Sequence, residues 1–212
     1  YSYDNLAYGQ EPIKGGLTKK EEWLNIGGSN PITLYGYASN GNLVNETNAN
    51  NKTTQYIYGL WDTTNTFVDK SIDAQGHIFN FNYGLGTGNI LSKTDSNNQV
   101  TNYTYDNFGR LLQEILPYDS ISLPTISYTY EFDGIAPEKV KIVHREDTGS
   151  SNTYDEYSFY DGFGRLIQDK KEADNSKQIV TNVYYDSNDR ISKQSNPYFV
   201  SFLDNYSTPD QF

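Results

Sequence analysis

A nine-residue phrase occurs twice in this chain, as YDNFGRLLQ from Tyr105 and YDGFGRLIQ from Tyr160, 55 residues apart and identical at seven of nine positions. An active-site motif is needed once, whereas a phrase that recurs in register belongs to a unit that stacks on itself. Aromatic residues trace the units. Tyr56/Tyr58 in QYIYG, Phe81/Tyr83 in NFNYG, Tyr103/Tyr105 in NYTYD and Tyr128/Tyr130 in SYTYE are i, i+2 pairs. That spacing puts both rings on one face of a strand. Tyr160 in YSFYD and Tyr185 in NVYYD take the later position. The series 58, 83, 105, 130, 160, 185 has steps of 25, 22, 25, 30 and 25, and Tyr35/Tyr37 in LYGYASNG extends it 21 residues upstream.

Each strand-end tyrosine introduces a corner. The clearest are Asp106-Asn-Phe-Gly109-Arg110-Leu111 and Asp161-Gly-Phe-Gly164-Arg165-Leu166; Asp186-Ser-Asn-Asp189-Arg190-Ile191 has Asp in place of the glycine. Gly41-Asn42-Leu43 and Gly88-Asn89-Ile90 keep the second half. An Asp at the start accepts backbone N–H groups across a turn. Glycine takes φ > 0 freely, and Asn or Asp tolerates it next best. A second class of turn lies half a period away, around Asn48, Asp73, Asp95 and Asp174. Period-2 patterning with evenly spaced turns predicts an all-β antiparallel array of roughly a dozen strands.

Composition agrees. Aromatic residues are 15% of the chain, with 20 Tyr and 23 Asn, and Met is absent. Tyr and Thr favour strands, Asn and Gly favour turns. The net charge is −11 with no cluster of basic residues, so nucleic acid is not an expected partner. There is no Cys, which excludes disulfides and thiolate chemistry. No stretch approaches the ~20 apolar residues of a helical membrane span.

The organisation expected is an irregular lead-in over residues 1–30, a hairpin array of about seven units over 31–195, and an irregular C-terminal loop over 196–212 that leads out of the array. Within the lead-in, Thr18 to Leu24 suggests a short helix with a capping box. Lys139 to His144 reads as a strand inside the longest unit. The chain reads as part of something longer.

YDNFGRLLQ, YDGFGRLIQ and the degenerate YDSNDRISK resemble the YD repeats of Rhs proteins, and GNILSKTD resembles the linking half of that repeat. The segment YDGFGRLIQDKKEAD, then YYDSNDRISKQ and NPYF, is similar to the SpvB-like B components of bacterial Tc toxin complexes. The resemblance implies β-hairpin repeats stacked into a curved sheet, a segment of a β-shell or cocoon that encloses a toxic polypeptide. It implies as partners other repeats of the same longer chain, other toxin-complex components and the encapsulated toxin polypeptide, with a secreted or cell-surface location and a role in virulence. The autoproteolytic aspartate stretch of the related C components is absent, so the chain would be wall rather than protease or cargo. The competing reading is an extracellular adhesion or carbohydrate- or protein-binding module.

The residues expected to carry the repeat are Tyr58, Tyr83, Tyr105, Tyr130, Tyr160 and Tyr185, with Asp106, Asp161, Asp186, Gly109, Gly164, Arg110, Arg165 and Arg190. Arg110 and Arg165 are expected to pair with turn carboxylates or stack on a tyrosine of the next hairpin. The tyrosines either pack on neighbouring units or offer rings to a glycan, and their exposure discriminates the two. No catalytic residues, metal ligands or cofactor are expected. Gly84-Leu-Gly86-Thr-Gly88 precedes NILSK, a strand pattern, whereas a nucleotide fingerprint needs a helix there. His77 and His144 are 67 residues apart without metal-ligand spacing. Four Asn-x-Ser/Thr sequences, at Asn45, Asn51, Asn102 and Asn205, are accounted for by the abundance of Asn and Thr.

Overall fold

The computed structural model describes residues 1–25 and 27–209. Ile26 of the expected lead-in and residues 210–212 of the expected C-terminal loop lie outside the described residues. Two compact units divide the chain, Tyr1–Val100 and Thr101–Phe212.

In the first unit every strand pairs antiparallel with the next. The strands are β1 (Ser2–Tyr3), β2 (Leu17–Glu21), β3 (Ile32–Tyr37), β4 (Leu43–Thr47), β5 (Thr53–Tyr58), β6 (Val68–Ile72), β7 (Ile78–Tyr83) and β8 (Ile90–Thr94). The helix expected from Thr18 is β2 instead. Lys19, Lys20 and Glu21 pair with Leu34, Thr33 and Ile32, and ladder bonds across a neighbour outweigh a capping pattern that no apolar helical stripe supports. Residues 1–30 thus hold two strands. Asp4, after Tyr3, accepts N–H groups from Ile13, Lys14, Gly15 and Gly16 at 2.6–3.0 Å. This is a Tyr-Asp corner with a long insertion.

The second unit holds β9 (Val100–Tyr105), β10 (Leu111–Ile115), β11 (Ile126–Glu131), β12 (Glu138–Arg145), β13 (Thr153–Tyr160), β14 (Leu166–Ala173), β15 (Lys177–Tyr185), β16 (Ile191–Gln194) and β17 (Tyr198–Ser201). Successive strands from β9 to β16 pair antiparallel. β17 returns to pair Ser201 to Tyr198 with Lys177 to Val180 of β15. Seventeen strands are therefore described where about a dozen were expected. The surplus lies partly in β1, β2 and β17, which lack the paired-tyrosine pattern.

The stretch 196–209, expected to be irregular, holds β17. After β17 it runs as a strap over one face of β13–β15. Transverse rows on that face are Phe159, Gln168, Asn182 and Tyr157, Lys170, Val180. All six are at most 2% exposed. Phe202 meets the Tyr157 ring edge-on at 6.2 Å, and Tyr206 meets Phe159 at 5.9 Å. The buried Gln168, Gln178 and Lys170 side chains here bond to the strap's main chain. Lys170 Nζ donates to the carbonyls of Leu203 (3.2 Å) and Asn205 (2.5 Å). Gln168 donates to Ser207 O at 2.8 Å and accepts from Ser207 N at 3.2 Å. Gln178 accepts from Leu203 N at 2.9 Å. Burial pushes the Lys170 amine below the ordinary lysine range, with the Asp204 charge opposing that shift.

Val180, fully buried at the centre of this face, measures how much the strap's packing contributes. Val180→Ala is expected to lower the unfolding free energy by about 2 kcal/mol in urea titration. Val100→Ala, at a site 39% exposed, is expected to stay within about 0.5 kcal/mol of the parent.

Candidate functional site

One corner geometry recurs at residues 38–42, 48–52, 73–77, 95–99, 106–110, 161–165 and 186–190. In each, the first residue's N–H donates to the carbonyl of the fifth, and the fourth residue's N–H donates back to the carbonyl of the first. The fourth residue always has positive φ. It is Gly109 and Gly164 in the two matching phrases, and Asn51, Asn98 and Asp189 where a short polar side chain stands in. In 106–110 the Asp106 carboxylate accepts Phe108 N and Arg110 N, each at 2.9 Å, and Arg110 Nε at 2.6 Å. Asp161 does the same with Phe163 N, Arg165 N and Arg165 Nε, and Asp186 with Asn188 N, Arg190 N and Arg190 Nε. Arg165 also reaches Asp189. Asp73 repeats the pattern with His77 in the arginine's place, its Nδ1 2.8 Å from the carboxylate. His77 is therefore a corner residue. The other histidine, His144, stacks on Tyr154 at 4.7 Å and faces Glu156.

The two classes of corner differ in strand register. At the tyrosine end the register jumps by one residue. Tyr37 pairs with Leu43 but Gly36 with Asn45; Tyr58 with Val68 but Ile57 with Lys70; Tyr83 with Ile90 but Asn82 with Ser92. Tyr105/Leu111, Tyr160/Leu166 and Tyr185/Ile191 behave alike. At the other end, Thr47/Thr53, Ile72/Ile78 and Ala173/Lys177 close in continuous register. A bulge adds a residue to one strand, bends it and interrupts its ladder. Here the added residue is the second of the return strand.

The tyrosine hydroxyl serves that interruption. The β4–β5 ladder stops at Asn45/Gln55, and beyond it Tyr58 donates its O–H to the carbonyl of Leu43 at 3.0 Å. Tyr37 does this to Leu17 O (3.0 Å), Tyr130 to Leu111 O (2.8 Å) and Tyr185 to Leu166 O (3.0 Å). Each acceptor is the first residue of the adjacent hairpin's return strand. Where an arginine precedes that acceptor, at Leu111 and Leu166, it covers the same ring. Arg110 lies 4.4 Å from the Tyr130 centroid and Arg165 4.6 Å from Tyr185. Tyr83 stacks on Phe67 at 4.8 Å. Tyr160 sits where the β12–β13 ladder runs unbroken from Arg145/Thr153 to Glu138/Tyr160. Tyr58, Tyr83, Tyr105 and Tyr130 are half-buried, and burial pushes each phenol above its ordinary range. The Tyr58 and Tyr130 hydroxyls and the Tyr83 ring are committed to neighbouring segments, which removes the main support for a ladder of glycan-stacking tyrosines.

Lys170, Gln168, Gln178 and Asn182 make buried polar contacts that sequence reasoning did not single out. The available signal was polar residues at i, i+2 spacing on one strand face, Gln168/Lys170 and Gln178/Asn182 flanking Val180. Among the described residues no group of three or more acidic or histidine side chains is arranged to hold a metal ion. No helix there is long and apolar enough to cross a membrane.

The RHS repeat family model matches residues 86–121, which include the phrase YDNFGRLLQ. Solved Tc toxin components share the chain's fold. The TcdB2–TccC3 crystal structure superposes with TM-score 0.65 at 16% identity, over 86% of this chain and 12% of that one. TcdB2–TccC3 without its hypervariable C-terminal region gives 0.64 at 13% identity, over 86% and 14%. A Tc holotoxin pore from Photorhabdus luminescens gives 0.57 at 15% identity, over 87% and 11%. The chain spans about an eighth of the length of those chains. No curated protein sequence matches it significantly.

The tyrosine corner is testable at two levels. Tyr130→Phe removes one hydroxyl and leaves the Leu111 carbonyl without it, at an expected loss of about 1 kcal/mol in denaturant unfolding. Tyr118→Phe, at a ring 83% exposed, is expected to be neutral. Acid is the second probe. Burial raises the Asp106 and Asp161 carboxyls, but N–H bonds from their corners outweigh it and hold both below the ordinary 3.8. For Asp186 the Arg190 backbone bond leads and the shift is again downward. A depressed folded pKa gives stability that is complete above the unfolded pKa and lost as pH falls through the folded one. Melting temperature is expected to hold above about pH 5 and fall below about pH 4. Asp161→Asn should melt below the parent at neutral pH, with the gap closing near pH 2.

Proposed function

We propose that this chain is a section of wall in an RHS-repeat shell that sequesters a toxic polypeptide for delivery. The observation that carries this reading is the hydroxyl-to-carbonyl closure between adjacent hairpins, together with the fold held in common with TcdB2–TccC3. A wall must keep proteases and solvent from the polypeptide behind it. A sheet whose hairpins are joined both by ladder bonds and by ring contacts suits that task, because aromatic rings cover interruptions in the ladder. The corner residues, from Tyr58 to Arg190, have scaffold roles on this reading, and the chain itself performs no catalysis. Its partners are flanking repeats of a longer secreted or cell-surface protein, other components of a toxin complex and the enclosed polypeptide.

The test is protease protection. The longer protein that contains this chain is expressed with the polypeptide C-terminal to its repeats, and digestion by trypsin is followed on gels. The polypeptide is expected to survive while attached and to be degraded at once when produced alone. Equal digestion rates in the two forms would overturn the reading.

A further inference from the structure

The corner between β5 and β6 carries an insertion. Nine residues, 59–67, stand between these strands, where five, 106–110, stand between β9 and β10. The insertion is held from inside. Asp69, 2% exposed and at the bulge position of its strand, accepts Leu60 N at 2.6 Å and Trp61 N at 3.4 Å. Asp62, 3% exposed, accepts Thr64 N, Thr64 Oγ1 and Thr66 N at 2.6–2.9 Å. Asn42 donates to Asn65 O at 2.6 Å. Gly59, at φ +77°, leaves room for the Asn65 amide, whose Oδ1 takes the space that a Cβ would need. Two buried carboxylates, a tethering amide and an obligatory glycine thus order a loop whose largest side chain, Trp61, is 72% exposed. The ordering does not serve to bury that indole.

The surroundings of Trp61 are polar. With Asn80, Phe81, Asn82, Ser92 and Thr94 it lines a recess of about 360 Å³. Asn80 pairs with Thr94 and Asn82 with Ser92 across β7–β8, so two amides and two hydroxyls form a row on one face of the strands. No lysine, arginine or histidine lines the recess among the described residues. The adjoining smaller recess carries the two buried carboxylates.

We propose that this recess is a binding site for a neutral carbohydrate. A pyranose has an apolar C–H face and a rim of hydroxyls. The indole of Trp61 offers a flat apolar surface to the first, and the Asn80, Asn82, Ser92 and Thr94 side chains offer both donors and acceptors to the second. The nearby Asp62 and Asp69 carboxylates select against sialylated and uronic-acid glycans. The volume falls at the lower end of small-ligand sites, of order 300–1,000 Å³, and an ordered loop reduces the entropy lost on binding. The site is independent of the shell reading, since it uses an insertion that the repeat does not require.

The experiment applies the full chain to a printed panel of neutral oligosaccharides (glucans, mannans, galactans and N-acetylglucosamine oligomers) beside sialylated and uronic-acid glycans. Binding to at least one neutral member is expected. Trp61→Ala should weaken it at least about tenfold and Asn82→Ala about threefold, whereas Trp23→Ala, at a second exposed indole, should leave it unchanged. Unchanged melting temperatures in Trp61→Ala and Asn82→Ala separate loss of contact from loss of fold. Retention of acidic glycans alone, of none, or of neutral glycans equally by Trp61→Ala and the parent would overturn the proposal.

Discussion

The bulge that recurs at the tyrosine corners is the constraint around which the rest of the sheet is arranged. It places one extra residue in the return strand, so the adjacent ladder stops short and a backbone carbonyl is left outside it. An unpaired buried carbonyl costs about as much as a lost hydrogen bond. The phenol of the next hairpin supplies that bond, and its ring covers the gap. A phenylalanine would cover without bonding, and a serine would bond without covering. This accounts for tyrosine, among all aromatic residues, at the ends of these strands. The arginine completes the arrangement by spanning two charges of opposite kind to its own, the carboxylate of its corner and the electron-rich face of the neighbouring ring.

The second unit adds a different solution to a different problem. The face of β13–β15 that meets the strap is buried but largely polar. Its amides and its lysine bond to the strap's main chain rather than to its side chains. Contacts of this kind require an extended backbone at a fixed distance and leave the strap's sequence mostly free apart from Phe202 and Tyr206. A lysine amine is stable there because two carbonyls and an aromatic face replace part of its hydration.

Much of the repeat was legible because its signals are local. A corner needs an acceptor at its first residue and positive φ at its fourth, and both requirements select residue types within five positions. Hence Asp106, Gly109 and Arg110 could be read directly from the phrase, as could the antiparallel hairpins between corners. The helix suggested at Thr18 failed for a related reason. Lys19, Lys20 and Glu21 satisfy a capping pattern locally, but the bonds that decide their conformation come from β3, eleven or more residues away. The strap was illegible for want of any period, since its partners Gln168, Lys170 and Gln178 lie 25 to 39 residues earlier.

On its own, then, the sequence determined the unit: strand, Asp corner, return strand, and the spacing that repeats it. Those choices depend on φ preferences and side-chain periodicity, which act over a few residues. Only the tertiary structure decided what each tyrosine bonds to, that residues 202–207 lie across β13–β15, and that an insertion at Trp61 turns an indole towards a row of amides and hydroxyls. These depend on which distant carbonyl a ladder leaves unpaired and which face a neighbouring segment covers. Neither is a property of any short stretch of chain.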